Sequence, residues 1–314
     1  MHLSYAKGTI VQIPNLSRRE LLFGGAAWAA LPQSPVIDTH MHVWSQDFTR
    51  YPVSPPEPGL RPITDEGSTE FYLQEMKEHG IDLAVLVQPR QYGWDNRYIA
   101  DSVRRFPQRF VGHGLIDPHD PDNAGVLERE VRENGLAGMR LSPIYHPKEQ
   151  WLNAKANHAL WRKAEQLGAV FNVFIAAPQM AQLEDMVQRF PRVKVVVDHL
   201  GRPEIIDRAP WAEDVSLLRL AEYSNVWVKF SELYIMSKTK KYPYADVHPF
   251  ARSVYDAFGP KRLLFATGMV GVTRRIPYAD ELRLVREDIP FFKDGDKEWI
   301  LGRNALQIWK WKTA

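Results

Sequence analysis

Two histidines follow a short apolar run near the start of the chain and have the spacing of metal ligands. The run reads Val36-Ile37-Asp38-Thr39-His40-Met41-His42. In a β-strand the side chains at i and i+2 point the same way, so His40 and His42 can face one small target while Met41 faces elsewhere. Imidazole pairs commonly bind zinc or a similar ion. The segment therefore predicts a buried strand whose carboxyl end presents a candidate metal or catalytic site.

The rest of the chain supplies the elements that such a strand needs around it. From Val36 onward, eight apolar runs of strand length alternate with eight helical patterns, which predicts a (β/α)8 barrel (a TIM barrel). An open doubly wound sheet is the alternative, but no Gly-x-Gly-x-x-Gly turn favours it. The predicted strands are Val36–Thr39, Ile81–Gln88, Arg109–Ile116, Gly138–Ser142, Val170–Ile175, Val193–His199, Val226–Ser231 and Arg262–Thr267. The predicted helices are Thr69–His79, Arg97–Phe106, Ala124–Asn134, Ala156–Leu167, Gln179–Phe190, Trp211–Tyr223, Pro249–Phe258 and Tyr278–Glu287.

In a barrel of this kind, the carboxyl ends of the strands converge on one active face. A guanidinium at the end of the fourth strand, Arg140, has the fork geometry that suits a carboxylate. Arg202 and the pair Arg274-Arg275 extend a predicted anion-binding rim, so the expected partner is a small acidic substrate. His113 lies in the middle of a strand and is predicted to be a buried structural residue. The residues predicted to reach the active face are His40, His42, Gln88, Asp117, Arg140, Asp198, His199 and Glu232.

Four motifs, in order along the chain, carry a resemblance to a known family. They are Asp38-Thr39-His40-Met41-His42, Gly138-Met139-Arg140-Leu141, Asp198-His199-Leu200-Gly201-Arg202-Pro203 and Lys261-Arg262-Leu263-Leu264-Phe265. Together they resemble the amidohydrolase-related family of metal-dependent hydrolases, in the branch of sugar lactonases, pyrone dicarboxylate lactonase and aromatic acid decarboxylases. The resemblance implies a (β/α)8 barrel that hydrolyses a cyclic ester with water activated by a metal or by a general base.

The same resemblance assigns candidate roles. His40, His42 and His199 correspond to family histidines and form a predicted three-histidine site for a divalent metal, with zinc as the expected ion. From their positions after the second, fourth and sixth strands, and not from the resemblance, Gln88, Arg140 and Arg202 are the predicted substrate-binding residues. A catalytic zinc site generally keeps three protein ligands and an open position, so this set is sufficient in number. A metal-free site, in which histidines and arginines position the substrate, is the alternative.

Two positions depart from the family pattern. After the last strand the family has a Ser-Asp pair, whereas this chain has Thr267-Gly268, and Gly268 can neither ligate a metal nor accept a proton. The fifth strand of the family ends with a histidine, whereas Phe174 stands here. Glu232, just beyond the seventh strand, is the carboxylate predicted to replace the missing base. With His40, His42 and His199 it completes the predicted catalytic set.

Composition excludes several kinds of protein. Lys and Arg number 40 against 38 Asp and Glu, so no basic excess attracts nucleic acid and no polybasic run holds a membrane. Cysteine is absent, which removes disulfides, thiolate ligands and cysteine nucleophiles. Any metal must be held by His, Asp, Glu or a modified Lys. Small-molecule partners remain, and an oligomer is compatible with these totals.

The first 33 residues have a different character from the barrel. Ser17-Arg18-Arg19-Glu20-Leu21-Leu22 precedes a weakly hydrophobic Gly/Ala run, a pattern that resembles a twin-arginine export signal. The run is too short to span a bilayer. Residues 1–33 are therefore predicted to be a signal segment and residues 34–314 a single barrel domain, exported to the periplasm or secreted. An amphipathic helix that stays attached in a cytoplasmic protein is the alternative.

These observations lead to one functional hypothesis and two alternatives. The hypothesis is a hydrolase, lactonase-like, acting on a cyclic carboxylic ester of a small acid. Because Gly268 and Phe174 replace family ligands, the first alternative is a barrel that binds an organic acid without turning it over. The second is a decarboxylase, since one fold supports all three.

Overall fold

The fold is the predicted barrel of eight parallel strands. The computed structural model describes residues 34–202, 216–268 and 276–312. Strands neighbour one another in sequence order and every pair is parallel. They are β1 (Ile37–Met41), β2 (Leu83–Val87), β3 (Phe110–Leu115), β4 (Gly138–Leu141), β5 (Val170–Val173), β6 (Lys194–Val197), β7 (Val226–Phe230) and β8 (Leu263–Phe265). The signal segment 1–33, the pair Arg274-Arg275 and the first five residues of the predicted helix Trp211–Tyr223 lie outside the described residues.

Side chains of β1 bring the last strand against the first. The Thr39 hydroxyl donates to the carbonyl of Phe265 at 2.7 Å. The carboxylate of Asp38 accepts the backbone N–H of Thr267 at 3.1 Å and its hydroxyl at 2.5 Å. Beyond the strands, the N–H of His42 donates to the carbonyl of Gly268 at 2.8 Å. The first two residues of the Asp38-Thr39-His40 motif thus close the barrel, and only the later ones are left for chemistry.

The helices follow local sequence signals. In α1 (Thr69–His79), predicted with both ends correct, the Ser68 side chain accepts the N–H of Phe71 at 3.2 Å, and Gly80 ends the helix at φ 67°. Of the predicted helix Trp211–Tyr223, the described part holds only a 3₁₀ turn at Leu218–Glu222. The remaining helices are α2 (Arg97–Arg105), α3 (Asn123–Arg132), α4 (His158–Leu167), α5 (Met180–Arg189), α6 (Leu233–Met236), α7 (His248–Phe258), α8 (Tyr278–Arg283), α9 (Asp294–Glu298) and α10 (Asn304–Ile308).

The amino-terminal end of the barrel is covered by the end of α10 and the residue after it. Ile308 and Trp309 pack into an apolar cluster with strand residues such as Val85 and Val196. The Trp309 indole donates to Nε2 of His113 at 2.7 Å, and His113 is fully buried. His113 therefore has the structural role predicted for it.

Candidate active site

The histidine pair at the end of β1 is oriented by hydrogen bonds. The two Nε2 atoms of His40 and His42 lie 3.2 Å apart. Nδ1 of His42 lies 2.7 Å from the carbonyl of Val87, which can only accept, so the His42 proton sits on Nδ1 and a lone pair on Nε2 faces His40. Burial lowers the pKa of His42 to about 3 and holds the pKa of His40 well below its ordinary value. Both imidazoles are therefore neutral, the form that binds metals or accepts protons.

A buried ion network lies directly under this pair. Arg140 Nε donates to Asp198 Oδ2 at 2.8 Å, and the ammonium of Lys229 lies 2.9 Å from Asp198 Oδ1. Burial alone would raise the pKa of Asp198, but the positive charges of Lys229 and Arg140 hold it well below the usual range. Burial lowers the pKa of Lys229 to about 8 against the attraction of Asp198. The same lysine lies 3.0 Å from Nδ1 of His40. Arg140, predicted to hold a substrate acid, is thus already paired with a protein carboxylate.

Lys229 was not anticipated from the sequence. It stands in the apolar strand Val226–Phe230, and strand alternation alone places it on one face without showing that the face is interior. The sequence feature that could have revealed it is a single charged residue within an apolar strand. A lysine is almost never fully buried unless it is paired, so such a residue suggests a buried partner.

His199 reaches the site from a turn with unusual backbone geometry. After β6, the residues His199, Leu200 and Arg202 have φ values of 51°, 55° and 41°, a left-handed run that costs energy for side-chain-bearing residues. The turn places Nδ1 of His199 at 2.9 Å from the Ser231 hydroxyl and its ring centroid 4.6 Å from that of His40. Strain at this position is consistent with a role for the imidazole in the site.

The described residues include one group with the spacing of metal ligands. One ligand atom each from His40, Asp198 and His199 lies within 4.8 Å of the other two. Two neutral imidazoles and a carboxylate are a donor set found in catalytic zinc sites, so these residues fit a divalent ion in type and number. The three histidines of the predicted set, His40, His42 and His199, lie together at the carboxyl end of the barrel. His42 is not one of the three residues with ligand spacing, but its Nε2 lies 3.2 Å from Nε2 of His40. Asp198 was predicted at the active face, without the role of a ligand.

Glu232 occupies the end of β7 in a left-handed conformation with φ 59°. Its Oε2 accepts Nε of Arg202 at 2.9 Å and lies 3.7 Å from Nδ1 of His199. Burial raises the pKa of Glu232, although Arg202 opposes the shift. A Cβ added at Gly268 would lie 3.7 Å from Oε1 of Glu232. The carboxylate predicted as a substitute therefore lies beside Gly268, the position at which the resemblance leads one to expect an aspartate.

Phe174 joins the two arginines of the site. The guanidinium carbon of Arg140 lies over the Phe174 ring, 4.3 Å from its centroid, and that of Arg202 lies 4.6 Å from it. Such cation–π contacts stabilise a guanidinium that is removed from water. Phe174 cannot ligate a metal, but it holds the cations that pair with Asp198 and Glu232.

Gln88, predicted to bind substrate, is anchored on the neighbouring loop. Its amide nitrogen donates to the carbonyl of Asp95 at 2.5 Å, while its buried Oε1 has no partner among the described residues. Asp117 caps its own turn by accepting the N–H of His119 at 2.9 Å. Gln88 Oε1 is therefore an acceptor that a ligand could use. The Asp117 carboxylate instead stabilises the turn in which it lies.

A narrow cleft with a volume of about 10 Å³, room for a single water molecule, continues from Arg140 across the loops that follow β2 to β4. Arg90, a buried residue on this wall, pairs with Glu57 from the long loop after β1 and stacks 4.1 Å from the Tyr145 ring centroid. The walls combine guanidinium groups with flat aromatic faces, side chains whose chemistry matches that of a planar acid. Lining residues are Arg90, Trp94, Leu115, Ile116, Pro118, Arg140, Ser142, His146 and Trp151.

The histidine, aspartate and arginine groups at the carboxyl mouth of the barrel form a candidate active site. The family model described as Amidohydrolase matches residues 37–311, and the chain belongs to this family. Among the described residues, no helix is long and apolar enough to cross a membrane.

Sequence identity between this chain and individual members of the family is low. The chain is 28% identical over 234 residues to 4-sulfomuconolactone hydrolase of Rhizobium radiobacter, covering 73% of this chain and 74% of the relative. It is 26% identical over 275 residues to 2-pyrone-4,6-dicarboxylate hydrolase of Comamonas testosteroni, covering 80% and 84%. A crystal structure of an amidohydrolase from Burkholderia multivorans with bound zinc superposes with a TM-score of 0.67 at 20% identity, covering 87% of this chain and 98% of that one.

Proposed function

We propose that the protein hydrolyses a lactone or similar cyclic ester of a small acid. The observation that carries the proposal is that neutral imidazoles, a buried carboxylate and two guanidinium groups share one mouth of the barrel. The lactone hydrolases among its relatives support the same reaction. The acidic character of the expected substrate comes from Arg140 and Arg202, which stand over Phe174 at the entrance to the ion network.

In this scheme each residue has a role that follows from its chemistry. Glu232 takes the proton of the attacking water: Arg202 holds Oε2, and Oε1 faces the space beside Gly268. A raised pKa suits a carboxylate for proton transfer near neutral pH. His199, kept neutral because burial lowers its pKa, donates a ring N–H to an ester oxygen, which can only accept. His42 accepts from the His40 ring and holds it in place. Arg140, Arg202 and the unpartnered Oε1 of Gln88 orient the acid.

His40, Asp198 and His199 would hold a divalent ion, and their N and O donors suit zinc. When bound, such an ion polarises the ester carbonyl and lowers the pKa of water. We further propose that residues 1–33 direct export of the barrel, which would place the reaction in the periplasm.

The test is a substrate screen on protein purified without added metal and again after addition of zinc. Five- and six-membered lactones that carry a carboxylate are compared with neutral lactones, and ring opening is followed by acid release. Turnover of the acidic lactones supports the proposal. Release of CO₂ from aromatic acids without lactone hydrolysis would show a decarboxylase instead, and saturable binding with no turnover would show a binding barrel.

A further inference from the structure

A fully buried lysine inside the barrel is unexplained by the roles assigned so far. The side chain of Lys229 has no solvent exposure and lies between β1 and β6 at the level of the histidine pair. Removing an ammonium from water costs several kcal/mol in real proteins unless it is well paired, at about the scale of a whole domain's stability. Among the described residues its ammonium contacts Asp198 and His40, so its role must be sought there.

The contacts of Lys229 fix the direction of a hydrogen-bond chain. An ammonium has only donors, so at 3.0 Å its Nζ donates to Nδ1 of His40. The proton of the neutral His40 ring then sits on Nε2 and points to Nε2 of His42, 3.2 Å away. That atom is a bare acceptor, because the proton of His42 is on Nδ1 and donates to the backbone. Every bond in the chain has one donor and one acceptor.

The opposite tautomer of His40 is less well accommodated. It would place the proton on Nδ1, where the alternative acceptor, Asp198 Oδ1, lies at 3.4 Å, beyond the usual N–H···O range. It would also bring two bare Nε2 lone pairs to 3.2 Å from each other. The distances therefore favour the tautomer that Lys229 supports.

We propose that Lys229 is a positioning residue that fixes the Nε2-protonated tautomer of His40 and holds the histidine pair assembled without a metal ion. In this arrangement both ring nitrogens of His40 are engaged, Nδ1 by Lys229 and Nε2 by His42. A divalent ion that binds His40 has to displace one of these bonds, and it approaches an Asp198 already neutralised by two cations. Lys229 thus sets how strongly the site takes up metal.

The inference rests on the proposed function only in treating this histidine pair as the catalytic centre. Its tests involve no turnover, so its failure is distinguishable from failure of the proposed function.

The first test measures zinc affinity by titration calorimetry with zinc chloride and a competing chelator. Lys229→Met is compared with wild type and with Lys194→Met, a matched lysine on β6 that bonds the carbonyl of Gln307 at 2.7 Å. The proposal predicts that Lys229→Met binds zinc about tenfold more tightly or better, while Lys194→Met is unchanged. A purely structural role for Lys229 predicts the reverse, because a damaged site binds metal more weakly. Equal or weaker binding by a folded Lys229→Met protein would overturn the proposal.

The second test needs no variant of the lysine and covers the case in which Lys229→Met does not fold. Long-range ¹⁵N–¹H NMR of histidine-labelled wild type, free of metal, distinguishes protonated from unprotonated ring nitrogens, and His40→Gln assigns the signal. We expect His40 to carry its proton on Nε2 and His42 on Nδ1. A His40 ring protonated on Nδ1 would contradict the assignment of Lys229 as its donor.

Discussion

The carboxylate of Glu232 lies 3.7 Å from the point where a side chain at Gly268 would begin. An acidic residue at position 268 and the glutamate at 232 would compete for one space. Arg202 donates to the carboxylate and keeps it there. The backbone of Glu232 is left-handed, a conformation that costs less energy for glycine than for a residue with a side chain. We therefore expect the two positions to be coupled, and we propose that Glu232, after β7, supplies the carboxylate that is absent after β8.

This coupling predicts opposite outcomes for two substitutions of Gly268. Among the described residues a Cβ at position 268 meets only ordinary van der Waals contact, so Gly268→Ala is expected to change the free energy of unfolding by less than about 1 kcal/mol. Gly268→Asp places a second carboxylate against Glu232 and should destabilise the protein by roughly 1–3 kcal/mol. The measurement is denaturant unfolding at neutral pH.

The double variant checks the cause. In Gly268→Asp with Glu232→Gln the repulsion is gone, so most of the lost stability should return, giving a coupling energy of about 1 kcal/mol or more. Additive effects of the two substitutions would mean that the residues do not interact.

The buried pair Arg140–Asp198 should contribute far more to stability than an exposed pair of the same kind. Arg140→Met leaves Asp198 buried, with only Lys229 as a cation, and is expected to cost about 3 kcal/mol. Arg50 pairs with Asp101 at 3.0 Å, but its side chain is 66% exposed against 5% for Arg140. Arg50→Met, the control, should cost less than about 1 kcal/mol. Similar losses for both variants in thermal or urea unfolding would refute the role given to burial.

Phe174 should act on affinity for acids more than on the chemical step. Phe174→Leu removes the ring that lies against Arg140 and Arg202 and should raise KM, or the Kd of an acidic inhibitor, by roughly 3- to 30-fold, equivalent to one or two cation–π contacts. Phe174→Tyr keeps the aromatic face and serves as the control. If the leucine variant bound acids as tightly as the tyrosine variant, the two arginines would not depend on the ring.

His113 predicts a defined pH dependence of stability. Burial lowers its pKa from 6.5 to about 3. Between these values the unfolded chain binds the proton and the folded one does not, so stability rises with pH across this window and is lost as pH falls from 6.5 toward 3. The contribution changes by up to about 1.4 kcal/mol per pH unit.

His113→Gln removes the titration and keeps an acceptor for Trp309. The difference in unfolding free energy between wild type and variant should therefore shrink steadily from pH 7 to pH 4. A difference that is constant over this range would mean that the imidazole is not held neutral.

The architecture could be predicted because its signals are local. The strands were recognised as apolar runs, and the helix Thr69–His79 was correct at both ends because Ser68 and Gly80 cap it. His40 and His42 were paired correctly because side chains two apart on a strand face the same way. Signals of this kind need only the nearest neighbours in sequence.

The ion network could not be predicted because it depends on contacts between strands. Lys229 pairs with Asp198, 31 residues earlier, and with His40, 189 residues earlier. The sequence shows that Phe174 stands where the family has a histidine ligand. Its contacts with two arginines could not be predicted, because they depend on the barrel bringing the ends of β4, β5 and β6 together. The export signal at 1–33 and the rim arginines Arg274-Arg275 remain predictions.

The most direct test of the account is the rate of acid release by Glu232→Gln on a carboxylate-bearing lactone that the wild type opens, measured beside Glu222→Gln, the same change at an exposed site. Loss of a general base predicts a fall in kcat of about 10²- to 10⁴-fold for Glu232→Gln and wild-type rates for Glu222→Gln. Wild-type turnover by a correctly folded Glu232→Gln protein would contradict the proposal that this carboxylate replaces the one missing at Gly268.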